Sequence, residues 1–477
     1  MKRDRWVSEF GDWFRDAIDR AGIVDYRYPV KGCGVWLPLG FRLRQNIIQI
    51  MRKELDSTGH EEMLFPTLVP EDLLAKEAEH IKSFEGESFW VTRGGTTTLD
   101  VKLALRPTSE TVITPMVKLW IRSHADLPRR IYQISSIFRY ETKATKPLIR
   151  VREVSTFKEA HSFHATHDDA MRQNTIANEV YKRIFDQLKI PYLISKRPDW
   201  DKFAGALASY AFDTIFPDGK TLQIGTTHDL GQNFGKAFDL TYETPQGTRE
   251  YVWQTSYGIS ERVVAAVIAV HGDDNGLVLP PTIAPIQVVI VPIPRKGVGK
   301  ELAERCEKTK SELEQAGLRV KLDDRPDQTP GSKFFEWELK GVPIRVEIGP
   351  QDLARDEATL VRRDTSERSR TPTGQLMQGV RELLDKVERN LAERAWKRLR
   401  DHVHRTNSLD EAKRLIESGR GVVEIPWCGS ENCGRRIESE TDAKVLGIPW
   451  EEEFVEIPEK CVCGAPGKQV VRLARSY

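Results

Sequence analysis

A proline-bearing stretch divides this chain into two rhythms, and that division constrains the fold more than any other feature. Residues 278–285 carry Pro280, Pro281 and Pro285. Proline fixes φ and has no N–H to give a helix or sheet, so the stretch reads as rigid and extended, a domain boundary. Beyond it the pattern alternates: 287–291 extended, 300–316 helical, 319–322 extended, 332–340 helical, 344–348 extended. Such alternation implies a small α/β domain. A long charged helix over 375–405 then leads into a cysteine-bearing tail. A chain of 477 residues exceeds what one core organises, and three domains are expected: 1–284, 285–400 and 401–477.

Before the boundary the patterns are mixed. Trp6, Phe10, Trp13, Phe14 and Ile18 recur at three- and four-residue spacing, which predicts an amphipathic helix facing a core. Ile47, Ile48, Met51 and Leu55 predict a second helix over 41–58, stopped by Gly59, then a short strand at 63–65 closed by Pro66. A strand over 131–141, a basic loop over 142–152 and a return strand around Phe157 predict a long antiparallel hairpin. A strand over 251–256 and a helix over 260–269 follow, with Gly258 as the pivot between them. There is no internal repeat or low-complexity segment.

Hydrophobic residues make up 39% and charged residues 30% of the chain, with no apolar run of the roughly 18 residues that a bilayer requires. A membrane role is not expected, no secretory signal is readable, and the expected compartment is the cytoplasm. Net charge is only +1, so a nucleic-acid partner would have to be drawn by local basic patches. Cys428, Cys433, Cys461 and Cys463 cluster near the end of the sequence, which suggests a metal rather than disulfides in a reducing compartment.

The most informative tetrad is Phe138-Arg139-Tyr140-Glu141. Residues two apart on a strand share a face, so Arg139 and Glu141 would address one ligand. A guanidinium forks onto phosphate or carboxylate, and a carboxylate can accept from an adenine amino group. In isolation the pair reads more readily as an exposed cross-strand ion pair, and the features that follow it in the chain shift that weighting. The loop after it holds Lys143, Lys146, Arg150 and Arg152, suited to triphosphate or an RNA backbone. Phe157 offers a face for stacking. Arg262, at an apolar helix start four residues after Gly258, needs a partner such as a γ-phosphate.

These three segments, in this order, resemble the three motifs of class II aminoacyl-tRNA synthetases: the helix and strand ending at Pro66, the Phe-Arg-x-Glu hairpin, and the Gly-x-x-x-Arg helix. Among these enzymes the chain is similar to prolyl-tRNA synthetases of the archaeal and eukaryotic form. The similarity runs through Arg106-Pro107-Thr108-Ser109-Glu110, Lys202-Phe203-Ala204-Gly205-Ala206, Gln223-Ile224-Gly225-Thr226-Thr227-His228 and His271-Gly272-Asp273-Asp274. Read as local structure alone, the first of these is a helix cap with Pro107 in the first turn.

The resemblance implies an α/β and α+β multidomain fold: an antiparallel-sheet catalytic domain, an α/β anticodon-binding domain and a zinc-associated C-terminal domain. It implies that proline is activated with ATP and Mg2+ and passed to its tRNA. Proline would be held by Thr108, Glu110, Arg139, Glu159, His161, His228 and Phe203. ATP would be held by Arg139, Glu141, Arg150, Phe157, Gln223, Thr226, Ser256 and Arg262, with Arg139 and Arg262 catalytic. His164, on the face of its strand opposite His161, reads as packing.

Glu338 and Arg345 match positions that read the guanines of the proline anticodon, whereas a family lysine is Gln351 here. The resemblance further implies a homodimer through the first motif, and a structural Zn2+ on Cys428, Cys433, Cys461 and Cys463. In the family two residues separate the last pair; here Val462 stands alone, which strains simultaneous coordination and leaves loss or replacement of one ligand, or metal-free thiols, as the alternatives. The interval from Arg139 to Arg262 leaves no room for a large editing insertion. The terminal Tyr477 resembles a residue that reaches toward the active site in relatives. A non-catalytic paralogue would not need both arginines and the Thr108/Glu110 pair, and an adenylate-forming ligase for another acceptor would not need the anticodon-type domain.

Overall fold

The computed structural model describes residues 4–76, 86, 88–295, 299–452 and 458–477. The aromatic stripe near the start forms α1 (Phe10–Arg20), after a separate turn of helix at Arg5–Ser8. The second helix is α2 (Pro38–Asp56), with proline in its first turn. The extended pairing after it falls on β1 (Glu61–Glu62) rather than on 63–65. Residues 63–66 instead form loop structure that carries Phe65, whose N–H donates to Gln133 Oε1 at 3.0 Å. The helix α3 (Glu110–Trp120) begins after Pro107, not at it.

The predicted hairpin is β2 (Arg129–Phe138) paired antiparallel with β3 (Glu153–His164). The chain continues through α4 (His167–Gln187), β4 (Leu193–Lys196), β5 (Ala208–Ile215), β6 (Thr221–Gly231), β7 (Trp253–Ser260) and α5 (Arg262–His271). Thr166 caps α4 by accepting from Asp169 N–H at 3.2 Å, and Asp168 and Asp169 in its first turn complement the helix dipole.

Gly258 lies inside β7 and is not a pivot. A Cβ there would stand 3.3 Å from the Phe157 ring, so the absent side chain leaves that ring its place on the sheet.

The alternating segment forms β8 (Val288–Pro292), α6 (Gly299–Gln315), β9 (Val320–Leu322), α7 (Pro330–Leu339), β10 (Ile344–Ile348), β11 (Glu357–Arg362) and β12 (Arg368–Pro372). These strands make a five-stranded sheet in the order β9-β8-β10-β11-β12. The long helix is α8 (Leu376–Asp401), and the tail holds β13 (Val403–Arg405), β14 (Val422–Trp427), α9 (Glu431–Thr441), β15 (Lys444–Pro449) and β16 (Gln469–Ala474).

The largest sheet has eleven strands, in the order β13-β14-β16-β15-β4-β5-β6-β7-β3-β2-β1. From β4 to β2 every pairing is antiparallel. The tail therefore prolongs the antiparallel sheet of the first part of the chain: Ile448 pairs with Lys196, and Arg472 donates to the Ile194 carbonyl at 2.7 Å. One face of the sheet is sealed by α4, whose Tyr181, Ile184 and Phe185 are fully buried, each contributing about 1.5–3 kcal/mol of transfer free energy. Helix α5 is buried from Val263 to His271, as a helix apolar on all sides must be.

The proline-bearing stretch is extended only as far as Pro280 and then turns, the Ile283 and Ala284 N–H groups both donating to the Pro280 carbonyl at 3.0 Å, and it is packed rather than free. Leu277 and Leu279 N–H groups donate to the Leu339 and Gly341 carbonyls at 3.0 and 3.2 Å. Gly341 has φ 74°, and a Cβ there would meet the Leu277 backbone at 2.8 Å. The open face of the sheet between β2 and β6 is left for a site.

Candidate active site

Alternation along the antiparallel strands sets side chains in rows across this open face. Thr226 is opposite Gly258, and Gly258 opposite Glu159 and then Gln133; His228 is opposite Ser256, and Ser256 opposite His161. A β-bulge lies in β6, where the register shifts between the pairs Phe212/Gly225 and Asp213/Gln223. That extra residue re-aims the strand, so Gln223 and Thr226, three apart, both line one cavity.

The cavity measures about 270 Å3 and is lined by every residue expected to hold proline or ATP: Thr108, Glu110, Arg139, Glu141, Arg150, Phe157, Glu159, His161, Phe203, Gln223, Thr226, His228, Ser256 and Arg262.

Arg139 and Glu141 reach it by a different route from the one strand alternation predicts. β2 ends at Phe138, and the two residues lie in a turn in which Glu141 N–H donates to the Arg139 carbonyl at 2.8 Å. The turn stays tied to the return strand, because Arg139 N–H donates to the Arg152 carbonyl at 2.9 Å. The Arg139 guanidinium lies 5.9 Å from the centre of the Phe157 ring, and its Nε donates to the Pro107 carbonyl at 3.2 Å.

Arg262 donates from Nε to the Ile149 carbonyl at 2.9 Å, which hooks α5 to the hairpin loop. Burial, reinforced by the charges of Arg139 and Arg150, draws its pKa down to about 10. Three guanidiniums thus share a polyanion-sized space, and a polyanion would relieve their repulsion.

Also lining the cavity, Thr108 and Glu110 are buried and hydrogen-bonded to each other, Thr108 Oγ1 donating to Glu110 Oε2. Glu159 accepts at Oε1 from Ser109 Oγ at 2.5 Å and Gln133 Nε2 at 2.9 Å, and its Oε2 lies 3.7 Å from His161 Nε2. Burial raises the Glu159 pKa, but His161, Ser109 and Gln133 outweigh it and hold the carboxyl below its usual range. Phe203 and His228 rings lie 4.7 Å apart, and His228 Nδ1 is 2.8 Å from Ser209 Oγ. The arrangement offers a carboxylate for a cation, an apolar and aromatic wall, and then arginines for phosphates.

Three family profiles match the chain: a class II tRNA synthetase core domain (G, H, P, S and T) over 89–271, an anticodon binding domain over 287–383, and a prolyl-tRNA synthetase C-terminal domain over 409–477. The proline-tRNA ligase of Aeropyrum pernix is 55% identical over 100% of this chain and 99% of its own. That of Pyrococcus horikoshii is 53% identical over 100% of both. The chain belongs to the prolyl-tRNA synthetase family. A solved structure, Giardia lamblia prolyl-tRNA synthetase in complex with prolyl-adenylate, is 38% identical and superposes with a TM-score of 0.94 over 98% of each chain.

In this prolyl-tRNA synthetase family member, Glu338 and Arg345 line a second cavity of about 210 Å3, far along the chain from the first, together with Trp337, Arg362, Arg363 and Arg368. Arg368 was not expected there; nothing in its own sequence neighbourhood marks it, and only the pairing of β11 with β12 brings it in. Gln351 lies in the first turn of the short helix Pro350–Arg355 and is not among the residues lining this cavity.

The four tail cysteines converge, with all their sulfurs within 4.8 Å of one another. Cys433–Cys461, Cys428–Cys463 and Cys461–Cys463 separations are 3.5, 3.8 and 3.4 Å. The single residue between Cys461 and Cys463 therefore does not hold Cys463 away.

Tyr477 does not line the first cavity. Its hydroxyl donates to Asp218 at 2.6 Å and its ring receives Lys146 Nζ at 4.4 Å, so it touches the hairpin loop instead. His164 is engaged by Asp169 and Ser162, the packing role expected of it. Sequence reasoning also missed Arg197, which joins Asp213 and Gln223 at 3.0 Å, and Glu261, which accepts from the Ser155 and Thr156 backbone beneath the cavity.

Proposed function

We infer that the chain activates proline with ATP to prolyl adenylate and pyrophosphate, then transfers proline to the 3′ end of its tRNA. The single observation that carries this is the convergence of Glu110, Arg139 and Arg262 in one cavity. It is supported by full-length relatives named proline-tRNA ligase and by the prolyl-adenylate in the Giardia lamblia neighbour.

Thr108 and Glu110 hold the prolinium nitrogen, Phe203, Glu159, His161 and His228 frame the ring, and Arg139 aligns the carboxylate with the α-phosphate. Glu141, Phe157, Gln223, Thr226 and Ser256 hold the nucleoside, with Arg150 and Arg262 on the outer phosphates. The carboxylate oxygen bonds to the α-phosphorus as the bond to pyrophosphate breaks; a ribose hydroxyl of the tRNA then attacks the prolyl carbonyl and AMP leaves. Positioning and fixed positive charge supply the rate enhancement, and no side-chain nucleophile is needed. Mg2+ brought in with ATP would supply further charge neutralisation at the phosphates that Arg150 and Arg262 hold.

The proposed division into 1–284, 285–400 and 401–477 assigns catalysis, anticodon binding by Glu338 and Arg345, and metal binding in turn. Cys428, Cys433, Cys461 and Cys463 suit zinc: tetrahedral bonds of about 2.3 Å set sulfurs about 3.8 Å apart, near the separations between these thiols. A homodimer is proposed through the segment after β1, where Leu64 is 78% exposed and Leu68 is also open to solvent, with the exposed Leu119 of α3 as a further apolar residue. The cytoplasm is the proposed compartment; among the described residues no helix is long and apolar enough to cross a membrane.

The test is ATP–pyrophosphate exchange with each of the twenty amino acids, followed by charging of total tRNA. Exchange driven by proline and acceptance by proline tRNA are expected. Exchange without charging would favour a different acceptor, and no exchange would refute the assignment.

A further inference from the structure

Two arginines that line the second cavity share one buried carboxylate, which does not line it itself. Arg345 and Glu347 stand two apart on β10 and so share a face. Glu347 is 2% exposed. Its Oε1 accepts from Arg345 Nε at 3.0 Å, and its Oε2 accepts from Arg368 Nη2, reaching across from β12.

The Arg345 guanidinium is also seated 4.2 Å from the centre of the Phe334 ring. With Nε engaged and the guanidinium over the ring, its two Nη groups have no protein acceptor among the described residues. The remaining charges of the cavity are otherwise occupied: Arg362 on Asp364 and Glu367, Arg363 on Asp273, and Glu338 with the amide of Asn275 at 3.1 Å. Arg345 and Arg368 are the guanidiniums left to meet a ligand, with one carboxylate fixing both.

We propose that Glu347 is the positioning residue of anticodon recognition: it sets the spacing and tilt of Arg345 and Arg368 so that each presents its outer N–H groups to a guanine edge or the adjoining phosphate. This rests on the anticodon role proposed above for Glu338 and Arg345. Guanine offers two acceptors, O6 and N7, to a guanidinium fork, and single-stranded RNA loops expose those edges. A fork must be aimed to make both bonds. Glu347 does the aiming without touching RNA, being buried behind the two arginines. A glutamine in its place keeps one acceptor but turns an NH2 donor toward the other guanidinium, so only one arginine stays fixed.

The experiment measures charging of a proline tRNA transcript and of transcripts in which each anticodon guanine is replaced by adenine, using the full-length chain. The readout is the ratio of kcat/KM between the two tRNAs on one enzyme, in which any general loss of activity cancels. Glu347→Gln is expected to lower that discrimination about tenfold, the size of one guanidinium–guanine pairing, mainly through KM for the cognate tRNA. Arg345→Ala, run beside it, tests the cavity itself. Impaired discrimination in Arg345→Ala with none in Glu347→Gln overturns the positioning role alone; unimpaired discrimination in both overturns the anticodon reading and this proposal with it. Should Glu347→Gln not fold, Arg368→Ala carries the test, since that side chain is 54% exposed: lost discrimination supports the shared carboxylate, and full discrimination overturns it.

Discussion

Glu261 makes the stability of the catalytic domain depend on pH in a direction opposite to that of a paired surface carboxylate. It precedes Arg262, is 3% exposed, and accepts at one oxygen from Ser155 N–H at 2.9 Å, Ser155 Oγ at 2.8 Å and Thr156 N–H at 3.3 Å. Burial raises its pKa; those donors and Arg44 lower it, and burial prevails, leaving it at about 7 against an ordinary 4.5. Between those values the unfolded chain is ionised and the folded chain is not, so folding takes up a proton and stability falls as pH rises. The full difference amounts to about 3 kcal/mol, of which about 2–3 kcal/mol falls between pH 5 and 8. Glu261→Gln fixes the neutral state and removes this slope. Urea unfolding of both proteins at several pH values measures it: the stability of the variant relative to the parent is expected to rise by that amount from pH 5 to pH 8. Parallel stability curves across the window would refute the reasoning.

Arg139→Ala is expected to lower proline-dependent exchange at least about a hundredfold, the scale of losing a preorganised charge at the reacting centre, while circular dichroism shows an intact fold. Glu110→Gln is expected to raise the KM for proline more than that for ATP, because a neutral amide does not offset the prolinium charge; equal changes in both would count against the assignment of Glu110 to the amine. Metal analysis of protein purified without chelator is expected to give about one zinc per chain, reduced in Cys428→Ser. Hydrogen exchange in that variant should rise in the tail before the catalytic sheet, since zinc binding is coupled to local folding.

What could be read in the sequence was what local pattern encodes. The Arg129–Phe138 and Glu153–His164 hairpin, the alternating elements of the second sheet and the strand Ile344–Ile348 follow from periodicity, and their limits move by a residue or a few. Errors arose where tertiary context overrides period. Arg139 and Glu141 share the cavity through a turn, Gly258 is a strand residue cleared for Phe157, and Gln223 joins Thr226 only because a bulge re-phases β6.

The expected site residues all line the two cavities or the thiol cluster, because motif resemblance carries residue types along with their spacing. Residues that act through long-range pairing had no such signal. Arg368 reaches Glu347 from another strand, Arg197 reaches Gln223 across β5, and the tail joins the catalytic sheet at β4. Glu261 is the exception that could have been found, since an acid beside a buried arginine at an apolar helix start calls for an explanation of both charges.

The most direct test of the central claim is a crystal structure of this chain grown with proline and ATP. Prolyl adenylate is expected in the cavity between β2 and β6, with the prolyl nitrogen within hydrogen-bonding distance of Thr108 and Glu110, the phosphate on Arg139 and the adenine against Phe157. An adenylate whose amine faces away from Glu110, or nucleotide bound outside this cavity, would contradict the account.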